Sequence, residues 1–183
     1  MEFEAVVKAR RSVRNFSSAD VPDDLVRSLI DCAIRAPSSM NGQPWYFIKI
    51  RSGETKRRLA EIKDKYCPPE KREFPASFLM DAPVIVITCV DRSMAYDRGM
   101  ESGILATGHL LLAAANHGLT GVYLSAYKIG TPEVADDIRK ILNLPADVDP
   151  VTIVPIGYPG DTAEPKTLKH VEDVIFNETF CRK

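Results

Sequence analysis

The chain contains one run, Val84-Ile85-Val86-Ile87-Thr88-Cys89-Val90, in which six of the seven residues are β-branched. The run has no alternation of polar and apolar residues, which is typical of a strand that is covered on both faces. We therefore predict that it forms a central strand of a sheet. Cys89, inside this run, is expected to be a packed core residue rather than a nucleophile.

Helices and strands are predicted on both sides of this strand, without a regular β-α-β rhythm. Apolar spacing and flanking prolines and glycines predict helices near residues 3–10, 22–36, 54–65, 101–117 and 132–142, and strands at 45–51, 121–125 and 151–156. Residues 67–75 are expected to form an irregular loop, and the tail from Pro165 onward is expected to be extended. These elements predict one α+β domain over residues 1–183.

The helix predicted at 101–117 carries small residues outside its apolar stripe, among them Gly103, Ala106 and Ala113, and Gly99 precedes it. Small side chains let another backbone approach closely. This composition suits a helix buried in a dimer interface better than a helix that faces water.

Composition argues against several classes of function. The net charge is -1, from 24 basic and 25 acidic residues, so no overall field would attract nucleic acid or an anionic membrane. The longest apolar runs are far shorter than the ~20 residues of a membrane span. The acidic N-terminus does not resemble a secretory signal, so a cytoplasmic location is expected. The four cysteines form no Cys-x-x-Cys pair and the three histidines lack metal-ligand spacing, so no metal site is expected.

A basic stretch, Arg10-Arg11-Ser12-Val13-Arg14, follows the first predicted helix. If the chain is extended here, Arg10, Ser12 and Arg14 project to one side, because side chains alternate along an extended segment. Two guanidinium groups and a hydroxyl then suit a phosphate or another anionic oxygen. Alternatively, these bases merely complement the C-terminal end of the helix. The residues alone leave both interpretations open.

A second stretch, Pro37-Ser38-Ser39-Met40-Asn41-Gly42-Gln43-Pro44-Trp45, lies between a predicted helix and a predicted strand. It is dense in small donors and acceptors that could contact a polyhydroxylated or heterocyclic ligand. It could equally be a well-hydrogen-bonded turn.

Taken together, the two stretches resemble the FMN-contacting segments of the nitroreductase family, in the same order and spacing. Three further segments are similar to the family, namely Asp81-Ala82-Pro83, His117-Gly118-Leu119 and the stretch from Val154 to Gly160. The resemblance covers nearly the whole chain. It implies an α+β fold with a central, mostly antiparallel sheet flanked by helices, in an intertwined homodimer whose C-terminal extension, about residues 160–183, wraps the partner subunit.

The resemblance also implies roles for individual residues. Arg10 and Ser12 would contact the FMN phosphate, and Arg14 would lie by the pyrimidine edge of the isoalloxazine. The serine-rich loop would reach the flavin of the partner subunit, the segment of residues 124 and 125 would pass the reactive side of the ring, and Lys166 would bind phosphate. The candidate cofactor contacts are Arg10, Arg11, Ser12, Arg14, Pro37, Ser38, Ser39, Asn41, Leu124, Ser125 and Lys166.

The chain departs from the family pattern in two places. Leu168 stands where the family often has an arginine, which makes Lys169 a candidate substitute. A family asparagine between the first two strands has no clear counterpart between residues 63 and 74.

The implied activity is transfer of hydride from NADH or NADPH, by way of FMN, to a nitroaromatic, quinone or similar small acceptor. The flavin would carry the chemistry, so no catalytic side chain is expected, and Arg14 would act as a fixed cation that stabilises the reduced ring. Two alternatives are an FMN-binding carrier or sensor without turnover, and a nucleic-acid-binding module built on residues 8–14. The neutral net charge argues against the second alternative.

Overall fold

The computed structural model describes residues 1–68, 75–163 and 166–180. The helices in this part of the chain are α1 (Phe3–Ala9), α2 (Asp23–Ala33), α3 (Gly53–Lys65), α4 (Gly99–Asn116) and α5 (Glu133–Leu142). The strands are β1 (Trp45–Ile50), β2 (Val84–Asp91), β3 (Thr120–Gly121), β4 (Leu124–Ser125) and β5 (Val148–Gly157). The predicted helices and the three longer strands are confirmed, with ends that shift by a few residues. Residues 69–74 of the predicted loop lie outside the described residues.

The strands form one sheet in the order β1-β2-β5-β3, and β4 also pairs with β5. Every pairing is antiparallel. β2 therefore lies between β1 and β5, and its residues from Val84 to Val90 are at most 2% exposed. The prediction of a central strand is confirmed.

β2 presents alternate side chains to two apolar layers. Ile85 and Ile87 pack in one cluster with residues of α3 and α5, whereas Val84 and Val86 pack in another with residues of α2 and α4. Helices thus cover both faces of the sheet, which explains why β2 has no polar side.

The small residues of α4 serve a contact within the chain. A Cβ added to Gly99 would lie 3.2 Å from the Val90 side chain, and one added to Gly103 would lie 3.0 Å from that of Val151. These glycines therefore let α4 pack closely on its own sheet. The side of α4 that faces outward carries Leu105, which is 45% exposed.

Three hydroxyls are buried between α4 and the sheet. The Thr107 hydroxyl lies 3.1 Å from that of Thr88 and 2.8 Å from that of Thr152, and it donates to the Gly103 carbonyl oxygen at 2.8 Å. All three threonines are 0% exposed. Buried hydroxyls need such partners, because an unpaired one costs about 1–3 kcal/mol.

The prediction of one strand at 121–125 is wrong in part. β3 and β4 keep a single register against β5, from Thr120↔Gly157 to Ser125↔Thr152, but the ladder is interrupted between them. Opposite the gap lies Pro155, whose carbonyl accepts from the Val122 amide at 3.4 Å. Because proline has no N–H to donate in return, the ladder breaks at this point.

The predicted start of the last strand and the predicted tail are also corrected. β5 begins at Val148 rather than at 151, with Pro150 accommodated at a register shift opposite Cys89. Residues 166–180 form no strand, and a 3-10 turn at Val171–Asp173 interrupts the predicted extended tail. Among the described helices, none combines the length and apolarity needed to cross a membrane.

Candidate functional site

A cavity of about 520 Å³ opens beside β4, on the face of the sheet that α3 and α5 cover. Its walls combine basic, aromatic and apolar side chains. The lining residues are Arg14, Lys63, Asp64, Tyr66, Cys67, Pro68, Ala76, Phe78, Leu124, Tyr127, Lys128 and Val134. Two of the candidate residues from the sequence, Arg14 and Leu124, meet in this cavity.

Arg14 is positioned by the extended segment that follows α1. Val13 and Phe16 are buried, and the Val13 amide donates to the Thr120 hydroxyl at 3.3 Å. The Thr120 hydroxyl donates in turn to the Arg11 carbonyl at 3.0 Å. With its backbone anchored in this way, Arg14 places its guanidinium 5.8 Å from the centroid of the Phe78 ring, at the cavity wall. An arginine over an aromatic face is a favourable cation–π arrangement.

The remaining residues of the basic stretch have different surroundings. Arg11 donates to the carbonyls of Lys8 and Arg10 at 2.8 and 3.2 Å, so this guanidinium caps the end of α1 as the alternative interpretation describes. Arg10 is half-buried and Ser12 is exposed, and neither side chain has a hydrogen bond or ion pair with another described residue. The stretch therefore combines one capping base with donors that have no protein partner among the described residues.

The serine-rich loop has a defined conformation. The Ser38 hydroxyl accepts from the Gln43 amide at 3.0 Å, and Ser39–Asn41 form a 3-10 turn. Met40, Asn41 and Gln43 all have positive φ, at 49°, 55° and 47°. Such conformations are unfavourable for residues other than glycine and persist only where the surrounding structure fixes them.

Close packing at Gly42 supplies part of that constraint. A Cβ at this position would lie 2.2 Å from the Met94 carbonyl oxygen and 3.1 Å from the Tyr96 ring. The Pro44 carbonyl, just after the loop, accepts from the Asp91 amide at 2.8 Å. The loop is therefore held against the end of β2 at Asp91.

Within one chain, the two stretches lie at opposite ends of the sheet. Phe16 bridges to Pro159, just beyond the end of β5 that pairs with Val84. The serine-rich loop is fixed near Asp91, at the other end of β2. Eight residues of antiparallel strand span about 24 Å between these ends. One chain does not bring its two candidate segments into a common cavity.

Lys63 is a cavity residue that the sequence analysis did not single out. Its ammonium is partly buried and donates to the Ser125 carbonyl at 2.7 Å. Burial lowers the pKa of Lys63; the nearby Cys67 raises it and the positive charge of Lys128 lowers it. A signal was available, since Lys56 and Lys63 flank Leu59 at helical spacing and therefore lie on the buried face of α3.

The other candidate residues are dispersed. Ser125 is half-buried and touches the site through its carbonyl. Pro37 and Asn41 are exposed, and Lys166 and Lys169 lie on the exposed tail with Leu168. The family asparagine has no counterpart among residues 63–68, and residues 69–74 are outside the described part of the chain.

Cys89 is confirmed as a core residue. It is 0% exposed, and burial raises the pKa of its thiol to about 12, with Asp149 adding to the effect. The thiol is therefore protonated at neutral pH and cannot act as a nucleophile. Across the described residues, no group of three or more His, Cys, Asp or Glu side chains is placed to hold a metal ion.

Comparison with known proteins gives a consistent result. The sequence model of the nitroreductase family matches residues 7–158. An iodotyrosine deiodinase of Thermotoga neapolitana is 31% identical over 188 residues, which cover 94% of this chain and 96% of that protein. A crystal structure from Parabacteroides distasonis, which carries the provisional name NADH dehydrogenase/NAD(P)H nitroreductase, aligns with a TM-score of 0.86 at 26% identity over 98% of this chain and 99% of the other. The crystal structure of an iodotyrosine deiodinase bound to FMN and 3-iodo-L-tyrosine aligns with a TM-score of 0.80 at 26% identity, over 97% of this chain and 99% of the other. The chain belongs to the nitroreductase family of oxidoreductases.

Proposed function

We propose that the protein is a homodimeric FMN-dependent enzyme that takes electrons from NADH or NADPH and passes them to a nitroaromatic, quinone or similar small acceptor. The observation that carries the proposal is a cationic, aromatic-walled cavity beside a set of donors that lack protein partners among the described residues. Arg14 and Lys63 line the cavity, and Arg10 and Ser12 lie on the segment that leads into it.

These groups fit FMN chemically. A phosphate needs several donors, and Arg10 and Ser12 are uncommitted within the described part of the chain. A flat ring system needs apolar walls, which Phe78, Leu124 and Val134 offer. When bound, FMN accepts a hydride from the nicotinamide and delivers electrons to the acceptor. The solved deiodinase with FMN supports the same cofactor for this chain.

The proposed roles of the side chains follow from charge and position. Arg10, Ser12 and Lys166 would hold the phosphate. Arg14 would place a fixed positive charge beside the ring system and so stabilise the negative charge that reduction adds. Lys63, through its bond to the Ser125 carbonyl, would hold the β4 backbone in place along the cavity.

Two observations support a dimer in which each cavity is completed by the partner's serine-rich loop. The candidate segments of one chain are about 24 Å apart along the sheet. In addition, apolar side chains of α1, α4 and the tail are left exposed, including Phe3 at 72%, Leu105 at 45% and Leu168 at 70%. A second copy that packs on α4 and is wrapped by the tail would bury these side chains.

The test is spectroscopic. The purified protein, supplied with FMN, should be yellow, and NADH or NADPH should bleach it under anaerobic conditions. Addition of a nitroaromatic or a quinone should then restore the colour. Failure to bind FMN would refute the proposal, whereas binding without bleaching would favour the carrier or sensor alternative.

A second candidate acceptor is a halogenated phenol, because a 31% identical relative is an iodotyrosine deiodinase. Release of iodide from 3-iodo-L-tyrosine by the reduced protein would favour it. Turnover of nitroaromatics without iodide release would leave the first proposal in place.

A further inference from the structure

Two ammonium groups at the cavity have only neutral partners among the residues that the structure describes. The Lys63 ammonium donates to the Ser125 carbonyl at 2.7 Å, and the Lys128 ammonium donates to the Tyr66 carbonyl at 3.2 Å. Neither lies within ion-pair distance of a carboxylate in the described part of the chain. Lys63 belongs to the last turn of α3, and Lys128 to the connection between β4 and α5.

Neighbouring lysines behave differently. Lys65, two residues from Lys63, forms an ion pair with Asp137 at 2.9 Å, and Lys140 pairs with the same carboxylate at 3.4 Å. Carboxylates are thus available nearby and are used outside the cavity. Among the described residues, Lys63 and Lys128 are therefore two neighbouring positive charges that no carboxylate pairs with.

The carboxylate that does line the cavity is committed elsewhere. Asp64 accepts from the Ala76 amide at 2.8 Å, where it holds the segment that carries Phe78. In the described part of the chain, it forms no ion pair with Arg14, Lys63 or Lys128. Its role is structural, and among the described residues it provides no counter-charge for the two ammonium groups.

The two ammonium groups repel each other, and no carboxylate among the described residues offsets the repulsion. Burial lowers the pKa of Lys63, and the charge of Lys128 lowers it further despite the opposing effect of Cys67. An anion between the two ammonium groups would reverse this effect, because an opposite charge at close range favours the charged form of a lysine.

The walls around the pair suit a flat apolar body. Tyr66 and Tyr127 line the same cavity as the two lysines, together with Pro68, and none of these three was assigned above to the FMN ring. A ligand that satisfies both features is an aromatic ring with an acidic substituent.

We propose, on the basis of the function proposed above, that Lys63 and Lys128 bind the acid group of an aromatic electron acceptor, so that the enzyme prefers anionic over neutral aromatic acceptors. In this arrangement Arg10, Ser12 and Lys166 bind the FMN phosphate, and Arg14 lies beside the FMN ring. Lys128 is then the residue to vary, because its side chain is exposed and Lys63 also supports β4.

The experiment compares 4-nitrobenzoate with 4-nitrobenzamide, which differ in charge and are similar in size. The wild-type holoenzyme should show a kcat/KM for 4-nitrobenzoate that is about fivefold higher than for the amide, mainly through KM, as for a partly exposed ion pair. Lys128→Gln should reduce this ratio to near one. Lys140→Gln, which removes a nearby surface lysine outside the cavity, should keep the wild-type ratio.

An equilibrium measurement supplies a readout apart from turnover. Calorimetric titration of the oxidised holoenzyme with 4-nitrobenzoate should give about fivefold weaker binding in Lys128→Gln than in wild type. The inference would be overturned if the ratio of kcat/KM for 4-nitrobenzoate to that for 4-nitrobenzamide were the same in wild type and Lys128→Gln. A loss of FMN affinity, or of NADPH affinity alone, in that variant would also overturn it, because the lysine would then serve a phosphate. If the wild-type protein binds FMN but oxidises no nicotinamide with either compound, the proposed function fails, and the inference fails with it.

Discussion

Substitution of Gly42 by alanine should weaken FMN binding although Gly42 lies at the far end of the sheet from Arg14 of the same chain. The added Cβ would lie 2.2 Å from the Met94 carbonyl oxygen, whereas ordinary contact begins at 3.4 Å. The serine-rich loop must therefore move by about 1 Å, which would break hydrogen bonds between the loop and the flavin at the proposed site, and each such bond contributes about 0.5–1.5 kcal/mol. We expect the dissociation constant for FMN to rise about 2- to 10-fold for each hydrogen bond that is lost.

Equilibrium dialysis against FMN measures the effect, and thermal unfolding shows whether the variant is folded. Gly53→Ala is the matched control, because a Cβ at Gly53 meets nothing within 4 Å. It should bind FMN like the wild type. Ser38→Ala, which removes the acceptor for the Gln43 amide, disturbs the same loop without a steric clash and should also weaken binding. Wild-type FMN affinity in folded Gly42→Ala and Ser38→Ala would refute the assignment of this loop to the site.

Mixed dimers test whether the loop acts on the partner's cavity. In a dimer of one Arg14→Ala chain and one Gly42→Ala chain, a site shared between subunits leaves one cavity fully wild type and puts both changes in the other. Random mixing of equal amounts should therefore restore about a quarter of the wild-type sites. If each chain built its own site, every site would carry one change and mixing would restore nothing.

Three further predictions concern separate features. Arg14→Ala should lower the midpoint potential of the bound flavin by about 20–90 mV, since a charge at ~4 Å contributes about 1–4 kcal/mol to a two-electron couple. Lys166→Ala should mainly raise the FMN dissociation constant. Equal, negligible changes in both variants, measured by spectroelectrochemistry and dialysis, would show that the site is misplaced. Thr107→Val should lower the free energy of unfolding in urea by about 3 kcal/mol, because two buried hydroxyls lose a partner, and Thr107→Ser should retain most of the stability. Burial raises the pKa of Cys89 from 9.0 to about 12. The stability that depends on its protonated thiol should therefore be present below pH 9 and lost as the pH rises toward 12. Cys89→Ala should flatten the dependence of unfolding free energy on pH in this range, and an unchanged slope would contradict the assignment of Cys89 as a buried, protonated thiol.

The sequence predicted those parts of the fold that local patterns control. A continuous β-branched run without polar alternation identified β2, and the 3.6-residue period together with flanking prolines and Gly118 placed α2, α4 and α5. The break between β3 and β4 was missed because it depends on Pro155, a residue of the strand that pairs with them. The close packing of Gly99 and Gly103 on the sheet of the same chain was also missed, because the valines that they contact are distant in sequence.

Only those parts of the candidate site that depend on local sequence patterns could be predicted. Arg14 belongs to a short basic motif that the sequence alone could single out, whereas Leu124 was implied only by the resemblance to the family. Lys63 and Lys128 acquire their significance only when α3 and the β4–α5 connection fold against one cavity. Whether the serine-rich loop completes the cavity depends on a second chain, and the mixed-dimer experiment addresses that arrangement directly.

The buried threonines have a consequence for strand alignment. Because both faces of β2 are apolar, shifting it by one residue along β5 would exchange isoleucine for valine and would change the buried area little. The same shift would bring Ile87 or Cys89 to the place of Thr88, and the hydroxyl of Thr107 would then meet a methyl group or a thiol. Three otherwise inconspicuous hydroxyls therefore select one alignment among several that hydrophobicity alone would tolerate.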